Sequence, residues 1–232
     1  MAKKKSKSAS NVEYLWPTPI LSKRFNEYQR VNPKLVELFY AHRDKERRAP
    51  ASSYASADDL LKQYEHNADL QDLAQFIKNG VYEIASTVNA PYWRQGDEIN
   101  LYLSGLWFQI SNGYAFHETH IHGNCSWSGV YYVQSGQSSK SAEEYRDTKP
   151  NGITRFYGPY MDFGAGGHGE YGNIYLQDAS WDSCPQDGKL VIFPSWMKHM
   201  VFPYNGEDDR IIVSFHARLS NAKGDYWPYS FN

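Results

Sequence analysis

Residues 99–111 read INLYLSGLWFQIS. The stretch is rich in aromatic and β-branched residues and turn formers bound it on both sides, so it reads as a β-strand. The same signature recurs downstream in SGVYYVQS (128–135), ITRFYG (153–158), NIYL (173–176), KLVIFP (189–194) and RIIVSFHARL (210–219). Gly, Pro, Asn or Asp separates these runs, the pattern of an antiparallel sandwich or barrel. Strands do not alternate with helices after residue 95, which argues against a doubly wound fold.

Upstream the period changes. Leu70, Leu73, Ile77, Val81, Ile84 and Val88 fall at steps of three and four, the spacing of an amphipathic helix. Asn67 or Asp69 caps its start, and Asn89-Ala90-Pro91 ends it. A second helix is expected after Asn32, with Pro33 at its first position and Leu35, Val36, Leu38 and Phe39 following. SADDLLKQYE (56–65) reads as a short helix with a Ser cap. WPTPI (16–20) must be extended because of its prolines, and suits a sheet edge.

The whole chain has 232 residues, 41% hydrophobic and 22% charged, with a net charge of −2. That is a globular composition, and nothing in it asks for nucleic acid or an anionic membrane as a partner. No apolar run approaches the roughly 18–20 residues that span a bilayer. MAKKKSKSAS lacks the apolar region of a secretion signal, so residues 1–12 are expected to form a solvated basic tail. Residues 13–232 are then one domain, helical over about 26–90 and β over about 95–218. Two cysteines, Cys125 and Cys184, are too few for a disulfide framework and point to a reducing, cytoplasmic setting. Composition leaves the oligomeric state open, a homodimer included.

The glycine-rich segment 162–172 satisfies G-x-G-x-x-G at Gly164, Gly166 and Gly169. No helical pattern follows, so a dinucleotide site is rejected in favour of a flexible loop over a site. Residues 135–152 form a second polar insertion between strands.

Chemistry concentrates in HETHIH (117–122). On a strand, residues two apart face one way, so His120 and His122 point together and His117 points to the other face. Two imidazoles about 6–7 Å apart along a strand can converge on one ion, and neutral imidazole suits Fe, Zn, Cu or Ni. Candidate further donors are His199, His216, His168, Cys125 and Glu118. His199 follows the apolar run KLVIFP and a tight turn, and opens another short strand. Arg210 opens the strand after that, sharing one face with Ile212, Ser214 and His216. The opposite face, Ile211, Val213 and Phe215, is apolar and packs. A guanidinium on the first face is suited to hold a carboxylate.

These elements together resemble the iron(II)- and 2-oxoglutarate-dependent oxygenases. The resemblance rests on His120-Ile121-His122, Ser128-Gly129-Val130-Tyr131-Tyr132, Phe193-Pro194-Ser195-Trp196, His199, Pro203, Arg210 and Ser214-Phe215. It covers roughly residues 95–218, and WPTPI is similar to the opening of a small group within the superfamily. It implies a mainly β fold, a double-stranded β-helix or jelly roll, here with N-terminal helices packed on it. It implies iron at His120, His122 and His199, with Arg210 on the far carboxylate of 2-oxoglutarate. Ser214 and Tyr131 are added as hydroxyl donors to that carboxylate. Trp127, Tyr157 and Trp196 are candidate pocket walls, and the two insertions are candidate substrate contacts.

One departure matters: the wider superfamily carries a carboxylate where His122 stands. Three arrangements stay open, namely three histidines, Glu118 in place of His122, or two protein ligands with an open position for water or halide. The implied reaction is hydroxylation of an unactivated C–H bond of a small molecule, amino acid or peptide, with release of succinate and CO2. The rivals are a cupin-type three-histidine dioxygenase that does not use 2-oxoglutarate, zinc at His120, His122 and Cys125, and a metal-free binding jelly roll.

Overall fold

The computed structural model describes residues 18–46, 52–136, 151–158 and 180–223. The basic tail, the strand expected at 173–176 and the glycine-rich segment 162–172 with His168 lie outside them, as do residues 137–150 of the first insertion.

Two antiparallel sheets form the β-sandwich. The larger has six strands: β1 (Leu21–Arg24), β2 (Ser53–Ala55), β3 (Ile99–Ser111), β5 (Trp127–Gln134), β8 (Lys189–Pro194) and β10 (Arg210–Asn221), in the order β1-β8-β5-β10-β3-β2. The smaller has β4 (Ala115–His120), β6 (Thr154–Tyr157), β7 (Ser180–Ser183) and β9 (His199–Tyr204), in the order β4-β9-β6-β7. Two long helices, α1 (Tyr28–Lys45) and α3 (Ala68–Asn89), cover the outer face of the large sheet, with the single turn α2 (Leu60–Gln63) between them in sequence. The fold is therefore the jelly roll with helices packed on it that the sequence implied.

Strand alternation sorts the side chains of the large sheet into two cores. On the helical side lie Leu106, Phe108 and Ile110 of β3, Trp127, Tyr131 and Val133 of β5, and Ile211, Val213, Phe215 and Ala217 of β10. The rings of Phe39 and Phe108 stack there at 4.2 Å. On the inner side, between the sheets, lie Val130, Tyr132, Phe156, Val191, Phe193 and Ile212. Gly129 is hemmed in by its neighbours within the large sheet: a Cβ there would overlap the Phe215 ring of β10 and meet the Val191 carbonyl of β8.

The helices show where local signals mislead. α3 begins as expected, with the Leu70 N–H donating to Asn67 Oδ1 at 2.9 Å. α1 begins at Tyr28 rather than after Asn32, so Pro33 lies inside the helix. Asn32 is no cap. It is buried, its Nδ2 donates to the Val133 carbonyl at 2.6 Å, and its Oδ1 accepts from the Tyr131 hydroxyl at 2.7 Å. Ser56 does not cap α2 either; its hydroxyl accepts the Phe108 N–H at 3.1 Å instead. Residues 18–20 of WPTPI are not in a strand; the edge strand is β1, which follows directly and pairs β8 at the sheet margin.

Candidate metal centre

Three imidazoles meet at one end of the sandwich. His120 ends β4 and pairs directly with His199, which opens β9. Their ring centroids lie 4.3 Å apart. His122 lies 5.1 Å from His120 and 5.0 Å from His199 by the same measure. One donor nitrogen from each of the three falls within 4.8 Å of the others, close enough to share a metal ion.

The expected pairing of His120 with His122 is present, for a different reason. β4 stops at His120, so His122 is not on a strand. Its backbone N–H donates to the Ser195 carbonyl at 2.9 Å, which folds the chain back and returns the ring to the cluster.

Two hydrogen bonds set the tautomers. His120 Nδ1 lies 2.7 Å from the Glu118 carbonyl and His199 Nδ1 lies 2.9 Å from the Met197 carbonyl. A carbonyl only accepts, so both Nδ1 atoms carry a proton, which leaves Nε2 as the atom of each ring free to face a metal. Burial holds His122 at a pKa of about 3, and repulsion from the neighbouring His199, His216 and His120 pushes the same way. Burial likewise holds His199 at about 4, against the Met197 carbonyl, which acts the other way. These two rings are neutral at physiological pH, the state a metal requires.

The same cavity is lined by Arg210, Ser214 and Ile212, the polar face expected of β10. Arg210 is 1% exposed. Its guanidinium carbon lies 5.3 Å from the centre of the Tyr132 ring, and its Nε and Nη2 have no hydrogen-bond partner. Among the described residues no carboxylate pairs with it. A buried cation with unfilled donors is costly unless something anionic meets it. Three clustered imidazoles and a guanidinium with two unfilled donors therefore share one cavity.

Several expected site residues lie elsewhere. Tyr131 points into the helical core and serves Asn32; its neighbour Tyr132 faces the inner side and contacts Arg210. Neighbouring residues on a strand face opposite ways, so the hydroxyl near Arg210 belongs one position later than expected. The Tyr132 hydroxyl also bonds Thr154 Oγ1 at 3.1 Å. Trp127 is in the helical core, Trp196 is 53% exposed, and Tyr157 bonds Met200 Sδ at 3.0 Å; none lines the cavity. The aromatic side chains facing it include Trp107 and Phe193. Glu118 is exposed, meets His120 through its backbone carbonyl, and lies outside the three-histidine cluster. Cys125 is likewise outside the cluster, with Sγ 3.0 Å from Ser195 Oγ.

His117 is the main surprise. It lines the cavity rather than facing away. The β4–β9 register runs Ala115↔Tyr204, His117↔Val201 and His120↔His199, with irregularities on both sides of His117. Three steps along β4 from His117 to His120 match two along β9, so a bulge brings both histidines to one face. The same bulge breaks the parity that linked Glu118 to His120. Gln109 and Trp107 of β3 also line the cavity and were not anticipated. The signal was there: Leu106, Phe108 and Ile110 form an apolar face, which leaves Trp107 and Gln109 on the other.

Comparison with known proteins agrees with this architecture. Residues 105–216 match the family described as "Putative 2OG-Fe(II) oxygenase". A prolyl-4-hydroxylase from Pseudomonas putida is structurally similar at 18% identity and TM-score 0.50, over 87% of this chain and 93% of that one. HygX from Streptomyces hygroscopicus, determined with nickel and 2-oxoglutarate bound, gives 13% identity and TM-score 0.52 over 90% of this chain and 85% of that one. A prolyl hydroxylase from Trichoplax adhaerens, determined with a hypoxia inducible factor peptide, gives 11% and 0.51 over 85% and 82%. At these identities the likeness establishes the fold. No curated protein matches by sequence.

Proposed function

We infer the reaction from one premise: this chain belongs to the iron(II)- and 2-oxoglutarate-dependent oxygenase superfamily and is an enzyme using those two cofactors. On that premise the chain hydroxylates a C–H bond of a small molecule, amino acid or peptide. The balance is R–H + O2 + 2-oxoglutarate → R–OH + succinate + CO2. Iron(II) and 2-oxoglutarate together supply the oxidising power when bound; everything else falls to the protein.

The single observation that carries the reading is the pairing of a three-imidazole cluster with a buried guanidinium whose Nε and Nη2 lack partners, in one cavity. His120, His122 and His199 would hold the iron through ring nitrogens, those of His120 and His199 being Nε2. Arg210 holds the far carboxylate of 2-oxoglutarate through Nε and Nη2, whose planar fork matches a carboxylate in two parallel bonds. Ser214, on the same face of β10, is a further donor to that anion. Phe193 and Trp107 exclude water around it. With histidine replacing a carboxylate, the ligand set adds no negative charge. A dianionic cosubstrate is then bound more strongly than beside a carboxylate ligand.

The substrate in this reading is a small molecule or a peptide side chain; the Trichoplax relative was determined with a peptide. No helix among the described residues is long and apolar enough to cross a membrane.

The test is anaerobic titration of the protein with iron(II) and then 2-oxoglutarate. A weak visible charge-transfer band, followed by succinate formation once oxygen is admitted, supports the reading. No band and no succinate would overturn it. Oxygen uptake with iron but without 2-oxoglutarate would move the protein to the cupin-type alternative.

A further inference from the structure

We propose that His117 is a further cosubstrate-binding residue, donating a ring N–H to the far carboxylate of 2-oxoglutarate from the wall opposite Arg210. The inference rests on the reading above and adds to it a residue that neither spacing nor resemblance assigns.

The argument is one of register. Across the small sheet, His120, His199 and Phe156 form one row of paired residues. His117, Val201 and Thr154 form the next row inward. The first row contains two of the three clustered imidazoles. The second contains Thr154, whose Oγ1 bonds the Tyr132 hydroxyl, and Tyr132 in turn lies under Arg210. Rows two residues apart along a strand are separated by about 6.5 Å. That is close to the reach of a five-carbon diacid with one end on the metal row. Its far carboxylate therefore arrives level with His117, Thr154 and Arg210.

His117, Thr154 and Arg210 all line the cavity. Thr154 is already engaged by Tyr132. The His117 ring lies 6.2 Å from that of His120 and is close enough to Arg210 to feel its charge. A regular strand would have turned this ring away, since residues three apart face opposite sides. The bulge in β4 is the device that keeps it inside, and bulges are used to re-aim side chains beside active sites.

The experiment compares two ligands on anaerobic, iron(II)-loaded protein: 2-oxoglutarate, and 2-oxobutyrate, which keeps the 2-oxo acid end but lacks the far carboxylate. His117→Leu should weaken 2-oxoglutarate binding about tenfold or more, the worth of a hydrogen bond to a charged group. It should leave 2-oxobutyrate and iron affinity unchanged. His117→Asn, which restores a donor, should recover part of the loss. Equal weakening of both ligands would overturn the proposal and make His117 a support for the metal row. No change in either would reduce it to a cavity wall. Wild-type protein that binds neither ligand would instead defeat the oxygenase reading itself, an outcome distinct from both.

Discussion

His120 stands directly opposite His199 across the β4–β9 ladder, with ring centroids 4.3 Å apart and each Nδ1 tied to a backbone carbonyl two residues before it. One strand pair therefore supplies two donor nitrogens in a defined orientation before any ion arrives. Such preorganisation sharpens affinity by reducing what must be ordered on binding.

The cluster makes the metal-free protein sensitive to acid. An unfolded histidine titrates near 6.5, whereas His122 and His199 titrate at about 3 and about 4 in the fold. Between those limits the unfolded chain binds more protons, so stability falls as pH drops from about 6.5 towards 4. It is unaffected by these groups above pH 7. Denaturant midpoints at pH 7.5 and 5 should diverge for the wild type and diverge less for His199→Gln. Equal divergence would refute the assignment.

Arg210→Met should separate stability from function. Removing a buried cation without an anionic partner relieves its desolvation cost, so the cosubstrate-free protein should melt higher, about 2–4 °C for each kcal/mol recovered. The same variant should bind 2-oxoglutarate at least tenfold more weakly, since each hydrogen bond to a charged group is worth about 1.5–3 kcal/mol. Iron affinity should not change. A lower melting point would show that the fold itself relies on Arg210.

Tyr131→Phe tests which tyrosine matters at the site. The change strips Asn32 Oδ1 of its donor and should cost about 1–3 kcal/mol of stability. It should leave 2-oxoglutarate affinity alone. A selective loss of cosubstrate binding would place Tyr131 in the site after all.

His122→Asp restores the carboxylate common in the wider superfamily. Iron binding should persist, because the ligand count is kept. Binding of the dianionic cosubstrate should weaken, because the site loses one unit of positive charge. Calorimetry with iron and then 2-oxoglutarate reads the two steps separately, and unchanged cosubstrate affinity would remove the charge argument.

Gly129→Ala tests the packing between β5 and its neighbours. The added methyl has no room beside Phe215 and the Val191 carbonyl, so about 1–3 kcal/mol of stability should be lost. A melting temperature within a degree of wild type would show that these neighbours yield.

Local periodicity was enough for much of the fold. α3 and its Asn67 cap, β3, β8 and the polar face of β10 follow from spacing alone, because burial on one side imposes a period of 3.6 or 2 on apolar residues. His199 and Arg210 were reachable by the same logic once β8 and its turn were read. Asn32 misled because a polar residue before a proline looks like a cap, and only the β5 strand passing over α1 makes it a core residue.

The sequence by itself determined the main strands β3, β5, β6, β8 and β10 through residue type and short-range period, though not β2 or β7, and its family resemblance pointed to the three histidines and Arg210. Tertiary structure decided which face of β5 met the helices, and so chose Tyr132 over Tyr131 for the inner side. It also decided that β4 carries a bulge, which drew His117 inward and turned Glu118 out. Both Tyr131 and Tyr132 can be buried, and a bulge leaves no mark in composition. Only the partner strand, by fixing how many residues stand opposite, settles where each side chain points.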